Sequence, residues 1–332
     1  MVRTDLQSCA TVTADPSRRS GDLPVDSPPV THRITQLVAQ LGDVIVGKED
    51  TVRLAVVCLL ARGHLLIEDV PGVGKTTLSQ ALARSLGLPF KRIQFTSDLL
   101  PADIIGNSIY DREHARFVFH PGPIFAPVVL IDEVNRATPK TQSALLEAME
   151  EYQVSTDGVT RALPQPFFVI ATQNPRQQIG VFPLPESQLD RFLMRLELGY
   201  PNRASEREML TGQSRRDLLA ILPEVVSGEE LKEIQEQVQG IFVSPAVLDY
   251  LQDLLEASRR LHGTGLSPRA GLSLLHAAQA SALMQGRGMV LPEDIQAVAV
   301  PVMAHRLEAA VTPGQLGGRD LARHLLDTVP VP

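Results

Sequence analysis

Five short apolar runs recur along the first 200 residues: HLLIE (64–68), KRIQFT (91–96), PVVLID (127–132), PFFVIAT (166–172) and FLMRLEL (192–198). Their apolar positions are continuous rather than alternating. That predicts strands buried on both faces, as in a parallel sheet covered by helices. Helical periods fall between them. Val52–Leu60 reads as a buried helix, Leu78, Ala81, Leu82 and Leu86 share one face of a helix over 76–86, and KTQSALLEAMEEYQV (140–154) supplies another. After GYPNR (199–203) the strand-like runs stop, and residues 205–310 read as helices. These open at Ser-Pro or Pro-Glu-Asp starts, as in SPAVLDYLQDLLEASRRL, SPRAGLSLLHAAQASALMQG and LPEDIQAVAVPVMAHRL.

The pattern predicts an α/β core over 31–200 with a five-stranded parallel sheet, and a smaller all-helical domain over 201–315. A C-terminal tail or last helix would follow over 316–332. Residues 1–30, rich in Ser, Thr, Asp and Pro with no apolar period, read as a disordered tail. The length of 332 residues agrees with about two domains.

Composition narrows the function classes. A formal net charge of −7 disfavours general binding to a phosphate backbone, and 4% aromatics with no Trp disfavour a stacking surface for single strands. The two cysteines, Cys9 and Cys58, form no disulfide framework, and no Cys/His cluster suggests zinc. A reducing, cytoplasmic setting is expected. The longest apolar stretch, Leu54–Leu66, is broken by Arg62 and His64, so no membrane span is expected.

The stretch LLIEDVPGVGKTTLSQAL (65–82) is a strand, a glycine loop and a helix, the context of a phosphate-binding loop. Gly72 and Gly74 allow close backbone approach, Lys75 can reach the β- and γ-phosphates, and the Thr76 hydroxyl can ligate Mg²⁺. The strict G-x-x-x-x-G-K-[ST] pattern is broken at Asp69. Because the loop acts through N–H groups from Gly72 onward, and Pro71 stiffens the turn, Asp69→Gly is expected to change ATP affinity little. VVLIDEVNRA (128–137) ends an apolar strand in two carboxylates. Asp132 would hold Mg²⁺ and Glu133 would activate the attacking water. Asn174, in FFVIATQNP (167–175), could bond the γ-phosphate or that water. Arg191 and Arg195, in LPESQLDRFLMRLEL (184–198), could each stabilise charge on a neighbour's γ-phosphate. Arg269, in LSPRAGLSLL (266–275), could reach back over the nucleotide.

In this order these parts resemble the MoxR-type AAA+ ATPases over roughly residues 34–310. VIVGKE (44–49), RIQFTSDLLPADIIGNSIYD (92–111), LIDEVNRATPKTQSALLEAMEE (130–151) and SPRA (267–270) carry the resemblance along with the stretches above. It implies an AAA+ P-loop NTPase core and a helical lid. Val46 and Gly47 would line the adenine pocket, and the loop residues Pro71, Gly72, Val73, Gly74, Lys75, Thr76 and Thr77 would hold ATP. Lys75 and Thr76 become the Walker A pair, Asp132 and Glu133 the Walker B pair, Asn174 sensor 1 and Arg269 sensor 2. Arg191 is the first choice for the arginine finger and Arg195 the second. Residues 98–123 resemble an insert in the second helix, and 152–165 a hairpin turning at Asp157-Gly158. The resemblance further implies a homo-oligomeric, usually hexameric ring that remodels or activates protein clients, with von Willebrand factor A domain proteins among the partners. Two other readings compete: a nucleotide-gated scaffold with little turnover, and a nucleic-acid motor.

Overall fold

The computed structural model describes residues 30–173, 181–212, 214–262, 265–307 and 317–332. The tail expected over 1–30 lies outside the described residues apart from Val30, which opens the first helix. In chain order the elements are α1 (Val30–Val44), α2 (Glu49–Leu60), β1 (Leu65–Glu68), α3 (Lys75–Ser85), β2 (Phe90–Gln94), α4 (Pro101–Ile105), β3 (Gly106–Asp111) and β4 (Arg116–Pro121). Next come β5 (Val128–Asp132), α5 (Pro139–Glu151), β6 (Gln153–Thr156), β7 (Val159–Ala162), β8 (Phe168–Gln173), α6 (Glu186–Leu189) and β9 (Met194–Leu196). Helices complete the chain: α7 (Arg203–Thr211), α8 (Arg215–Ile221), α9 (Gly228–Gln239), α10 (Pro245–His262), α11 (Pro268–Met284), α12 (Pro292–Leu307) and α13 (Gly318–Thr328).

The five apolar runs form one five-stranded sheet in the order β2-β5-β8-β1-β9, and every neighbouring pair is parallel. Alternate residues of each central strand enter two different apolar clusters. Leu65 and Ile67 of β1, Leu130 of β5, and Phe168 and Ile170 of β8 face the side covered by α1, α2, α3 and the later helices. Leu66, Val129, Ile131, Val169 and Ala171 face the side covered by α4 and α5. Successive side chains of a strand point to opposite faces, so a strand covered on both sides must be apolar throughout. The edge strand β2 departs from this expectation. Only Ile93 is buried, while Lys91, Arg92 and Gln94 are exposed, because an edge strand has a partner on one side alone.

Both inserts form antiparallel hairpins, β3–β4 and β6–β7, and Asp157 and Gly158 take positive φ at the second turn. The predicted boundary near Tyr200 separates strands from helices, but it does not divide the core. Leu59 and Ile67 belong to the same apolar cluster as Leu274 and Val298 of α11 and α12. The C-terminal segment folds as α13 and packs on α12. No helix among the described residues is long and apolar enough to cross a membrane.

His64 pins the entry to β1. Val169 N donates to its Nδ1 at 3.1 Å, which leaves Nε2–H to donate to Met149 O at 3.2 Å. The neutral ring thus ties β1, β8 and α5 together. Burial pulls its pKa from 6.5 to about 4. The folded state therefore binds fewer protons than the unfolded chain between those values. The stabilisation is full above pH 6.5 and is lost as pH falls towards 4, by about 3 kcal/mol at 1.36 kcal/mol per unit. Burial lowers the pKa of His305 as well, adding the same sign. Urea midpoints measured from pH 7 to pH 4 should fall steeply for the wild type and less steeply for His64→Asn. Parallel profiles would remove His64 from the account.

Candidate active site

β1 lies between β8 and β9, at the point where the order of connection changes direction. In open parallel sheets this is where the crevice at the carboxyl ends of the strands opens. The segment after Glu68 turns through Asp69–Gly74 into α3. Gly72 and Gly74 have φ of +87° and +100°, which only glycine adopts freely. A Cβ added at either would meet nothing within 4 Å, so space lies open over the loop. Gly74 caps α3 without a side-chain hydrogen bond. The first turn of α3 therefore keeps donors for an anion, favoured by the positive end of the helix dipole.

Lys75 is the charged group inside this cradle. Its Nζ donates to the carbonyls of Asp69 at 2.7 Å and Val70 at 3.3 Å. Burial lowers its pKa, while Asp69, Asp132 and Glu133 oppose that shift by attraction. The lysine and the two carboxylates ending β5 thus share one electrostatic site, although 57 residues separate Lys75 from Asp132 in sequence.

The carboxylates are held by residues from neighbouring strands. Thr172 Oγ1 donates to Asp132 Oδ1 at 3.2 Å and accepts from Glu133 N at 3.0 Å. Arg92 Nε donates to Asp132 Oδ2 at 2.6 Å. Gln94 Nε2 and Arg136 Nε both approach Glu133 Oε2, each at 3.0 Å. Glu133 itself takes left-handed φ and ψ of 57° and 51°, a sparsely populated conformation for a non-glycine residue that sharply redirects the chain leaving β5. An open glycine cradle, an uncapped helix start and an ammonium facing two strand-end carboxylates fit a nucleoside triphosphate with Mg²⁺. Thr76 and Asp132 are the residues that would hold the ion.

Gly47 has φ +71°, and a Cβ there would strike Ser205 Oγ at 2.1 Å. It marks a close approach of the α1–α2 turn to the start of α7. Beside it, Lys48 Nζ donates to Tyr200 O at 2.7 Å. The turn containing Val46 and Gly47 therefore lies where the α/β and helical parts meet. Asn174 lies outside the described residues.

The arginines divide differently from the sequence expectation. Leu193 N donates to His64 O at 2.9 Å, so the chain enters β9 beside the entry to β1, at the amino-end edge of the sheet. Arg191 precedes that point and pairs with Glu150 Oε2 at 3.0 Å, near the end of α5. Arg269 bonds the other oxygen of Glu150. Both guanidiniums therefore sit at the edge opposite the phosphate loop, separated from it by a strand length of about 15 Å at roughly 3.3 Å per residue. Arg269 does not reach back over the nucleotide cradle of its own chain, because its helix starts beside the far end of α5. Arg195 is not available to a neighbour either. Its side chain is 8% exposed and pairs with Glu68 at 2.8 Å, within the sheet. Thr172, Arg92 and Gln94 were not singled out by the sequence. Only the sheet register reveals them, since β5 and β8 pair Ile131 with Ala171, and β2 and β5 pair Gln94 with Asp132.

Comparison with known proteins agrees with the fold. The ATPase family associated with various cellular activities (AAA) matches residues 64–194, and the AAA lid domain matches 257–321. The uncharacterised protein YeaC of Bacillus subtilis (strain 168) is 47% identical over 81% of this chain and 85% of its own length. Chaperone MoxR1 of Mycobacterium tuberculosis is 41% identical over 83% of this chain and 76% of its own length. Protein MoxR of Paracoccus denitrificans is 36% identical over 90% and 96% of the two chains. The crystal structure of a candidate ATPase of Cytophaga hutchinsonii ATCC 33406 superposes with a TM-score of 0.81 at 35% identity, covering 91% of this chain and 96% of that one.

Proposed function

Because the chain belongs to the MoxR-type AAA+ ATPases, we propose that it hydrolyses ATP with Mg²⁺ as a closed ring, hexameric as the family resemblance implies, and remodels or activates protein partners. The observation that carries this reading is the separation of the two halves of the chemistry. Lys75, Asp132 and Glu133 converge at one edge of the sheet, and Arg191 and Arg269 converge at the other. A site of this kind is complete only between two copies of the chain.

In the proposed reaction Lys75 leaves the carbonyls of Asp69 and Val70 for the phosphates. Mg²⁺, when bound, would supply charge neutralisation at the phosphates. Thr76 and Asp132 would hold the ion, and Glu133 would accept the proton of the attacking water. Asn174 is the candidate to orient that water. Arg191 of one copy meets the charge developing on the γ-phosphate bound by the next, and Arg269 acts beside it. Client recruitment is assigned to protein partners, von Willebrand factor A domain proteins among them. The chaperone reading is supported by the name of the mycobacterial relative. The scaffold alternative has only the broken loop pattern at Asp69 in its favour, since every other catalytic position is filled.

Complementation tests the shared site. Lys75→Ala and Arg191→Ala rings should each be nearly inactive. Mixing the two variants should restore ATP hydrolysis, since some interfaces then pair an intact loop with an intact finger. No recovery in rings shown to contain both variants would refute the shared site, as would full activity of Arg191→Ala alone.

A further inference from the structure

We propose that Asp69 is a positioning residue that couples the phosphate loop to the linker leading into the helical part, so that nucleotide occupancy is felt at residues 199–202. The inference rests on the nucleotide-site reading above and deepens it. Asp69 stands where the strict loop pattern has glycine, yet its side chain is neither loose nor solvated. The residue is 9% exposed. Oδ1 accepts from Val70 N at 2.7 Å, inside the loop, and Oδ2 accepts from Gly199 N at 2.5 Å, 130 residues away. Gly199 follows β9 with φ +64°, a left-handed turn that starts the linker to α7.

The main chain of the same residue completes a junction. Asp69 O accepts from Lys75 Nζ at 2.7 Å, and Asp69 N donates to Gln173 O at 3.3 Å at the end of β8. Asp69 is thus bonded at once to the phosphate-reading lysine, the loop, the end of a core strand and the linker. The linker is also held from its other side, by Lys48 on Tyr200 O and by Gly47 packed on Ser205.

Movement of the Lys75 ammonium onto phosphate removes a contact from the Asp69 peptide. Contacts that differ between two states are what coupling requires. Glycine at this position would keep the loop but leave the Val70 and Gly199 N–H groups without their acceptor. Asparagine would keep the shape but has one acceptor oxygen, and its amide would face a second N–H.

Hydrogen exchange of the full-length chain, with and without a fluorescent ADP analogue, tests the coupling, and fluorescence titration of the same analogue reports binding separately. In the wild type the analogue should bind and change exchange at 199–202. Asp69→Asn and Asp69→Gly should still bind it with affinity near wild type. Their Gly199 amide should exchange about 10- to 100-fold faster, the range for loss of one hydrogen bond to a charged acceptor, and should no longer respond to nucleotide. A general loss of stability would speed exchange in both states but leave the response in place. The proposal is overturned if either variant retains the nucleotide-induced change, or if the wild type binds the analogue without any change at 199–202. That wild-type comparison decides even if both variants fail to fold. A wild type that binds no analogue overturns the site reading itself, and the coupling with it.

Discussion

Glu133→Gln is expected to bind ATP but to turn it over about 10²- to 10⁴-fold more slowly than the wild type, the contribution typical of a positioned general base. The substitution is conservative for the surroundings. Gln94 donates to Glu133 Oε2, and the glutamine carbonyl can accept the same bond. The ion pair with Arg136 is lost, but it lies at a half-exposed position where such pairs contribute about 0–1 kcal/mol. The bonds that fix the end of β5 run through Thr172, Asp132 and the Glu133 main chain, and they survive. What disappears is the capacity to take a proton from water. Nucleotide titration and steady-state phosphate release separate the two effects. Turnover equal to the wild type, measured on assembled rings, would strip Glu133 of its role. Lys75→Ala should behave in the opposite way, losing binding along with turnover, because it removes the ammonium from the cradle while leaving the carboxylates in place.

The contrast between these two residues shows what one-dimensional reading captures. The strands β1, β5 and β8 were legible because burial on both faces forces apolar residues at every position, and that signal is local. The glycine loop between β1 and α3 was legible because left-handed backbone at Gly72 and Gly74 demands glycine at fixed offsets from Lys75. Register is not local. Nothing within VIATQNP reveals that Thr172 will stand beside Asp132 rather than one residue to either side. A slip of one would have turned its hydroxyl to the other face of the sheet. Arginines were the hardest to place, since an arginine in sequence carries charge but no direction. Arg195 lies in a strand whose partner supplies Glu68, so the charge is consumed internally. Arg191, only four residues earlier, sits before the strand begins and remains near the surface. The bonding of Asp69 was not legible for a related reason. Its partner, Gly199, is brought to it only by the parallel pairing of β1 and β9.

Arg306→Met is expected to destabilise the fold by about 3–5 kcal/mol, because it leaves the Asp190 charge partly buried without its cation. Arg306 lies on α12 with 5% of its side chain exposed, and burial lowers its pKa against the attraction of Asp190. Its Nε donates to Asp190 Oδ1 at 2.6 Å. Its other nitrogens donate to the carbonyls of Asp190, Phe192, Leu193 and Val302 and to Ser273 Oγ. After substitution, Ser267 Oγ would remain as a hydrogen-bond donor to the Asp190 carboxylate. Against a typical total of about 5–15 kcal/mol, this loss should be visible as a large fall in the urea midpoint. The network also brackets Arg191, so the variant carries a second signature. Well below its melting temperature it should bind nucleotide normally and hydrolyse it poorly, since the loop edge is untouched and the far edge is loosened. Asp190→Asn separates the causes. If the cost of Arg306→Met is mainly an uncompensated charge, the double variant will be less destabilised than the sum of the single ones. Strict additivity would mean that the two side chains do not act as a pair.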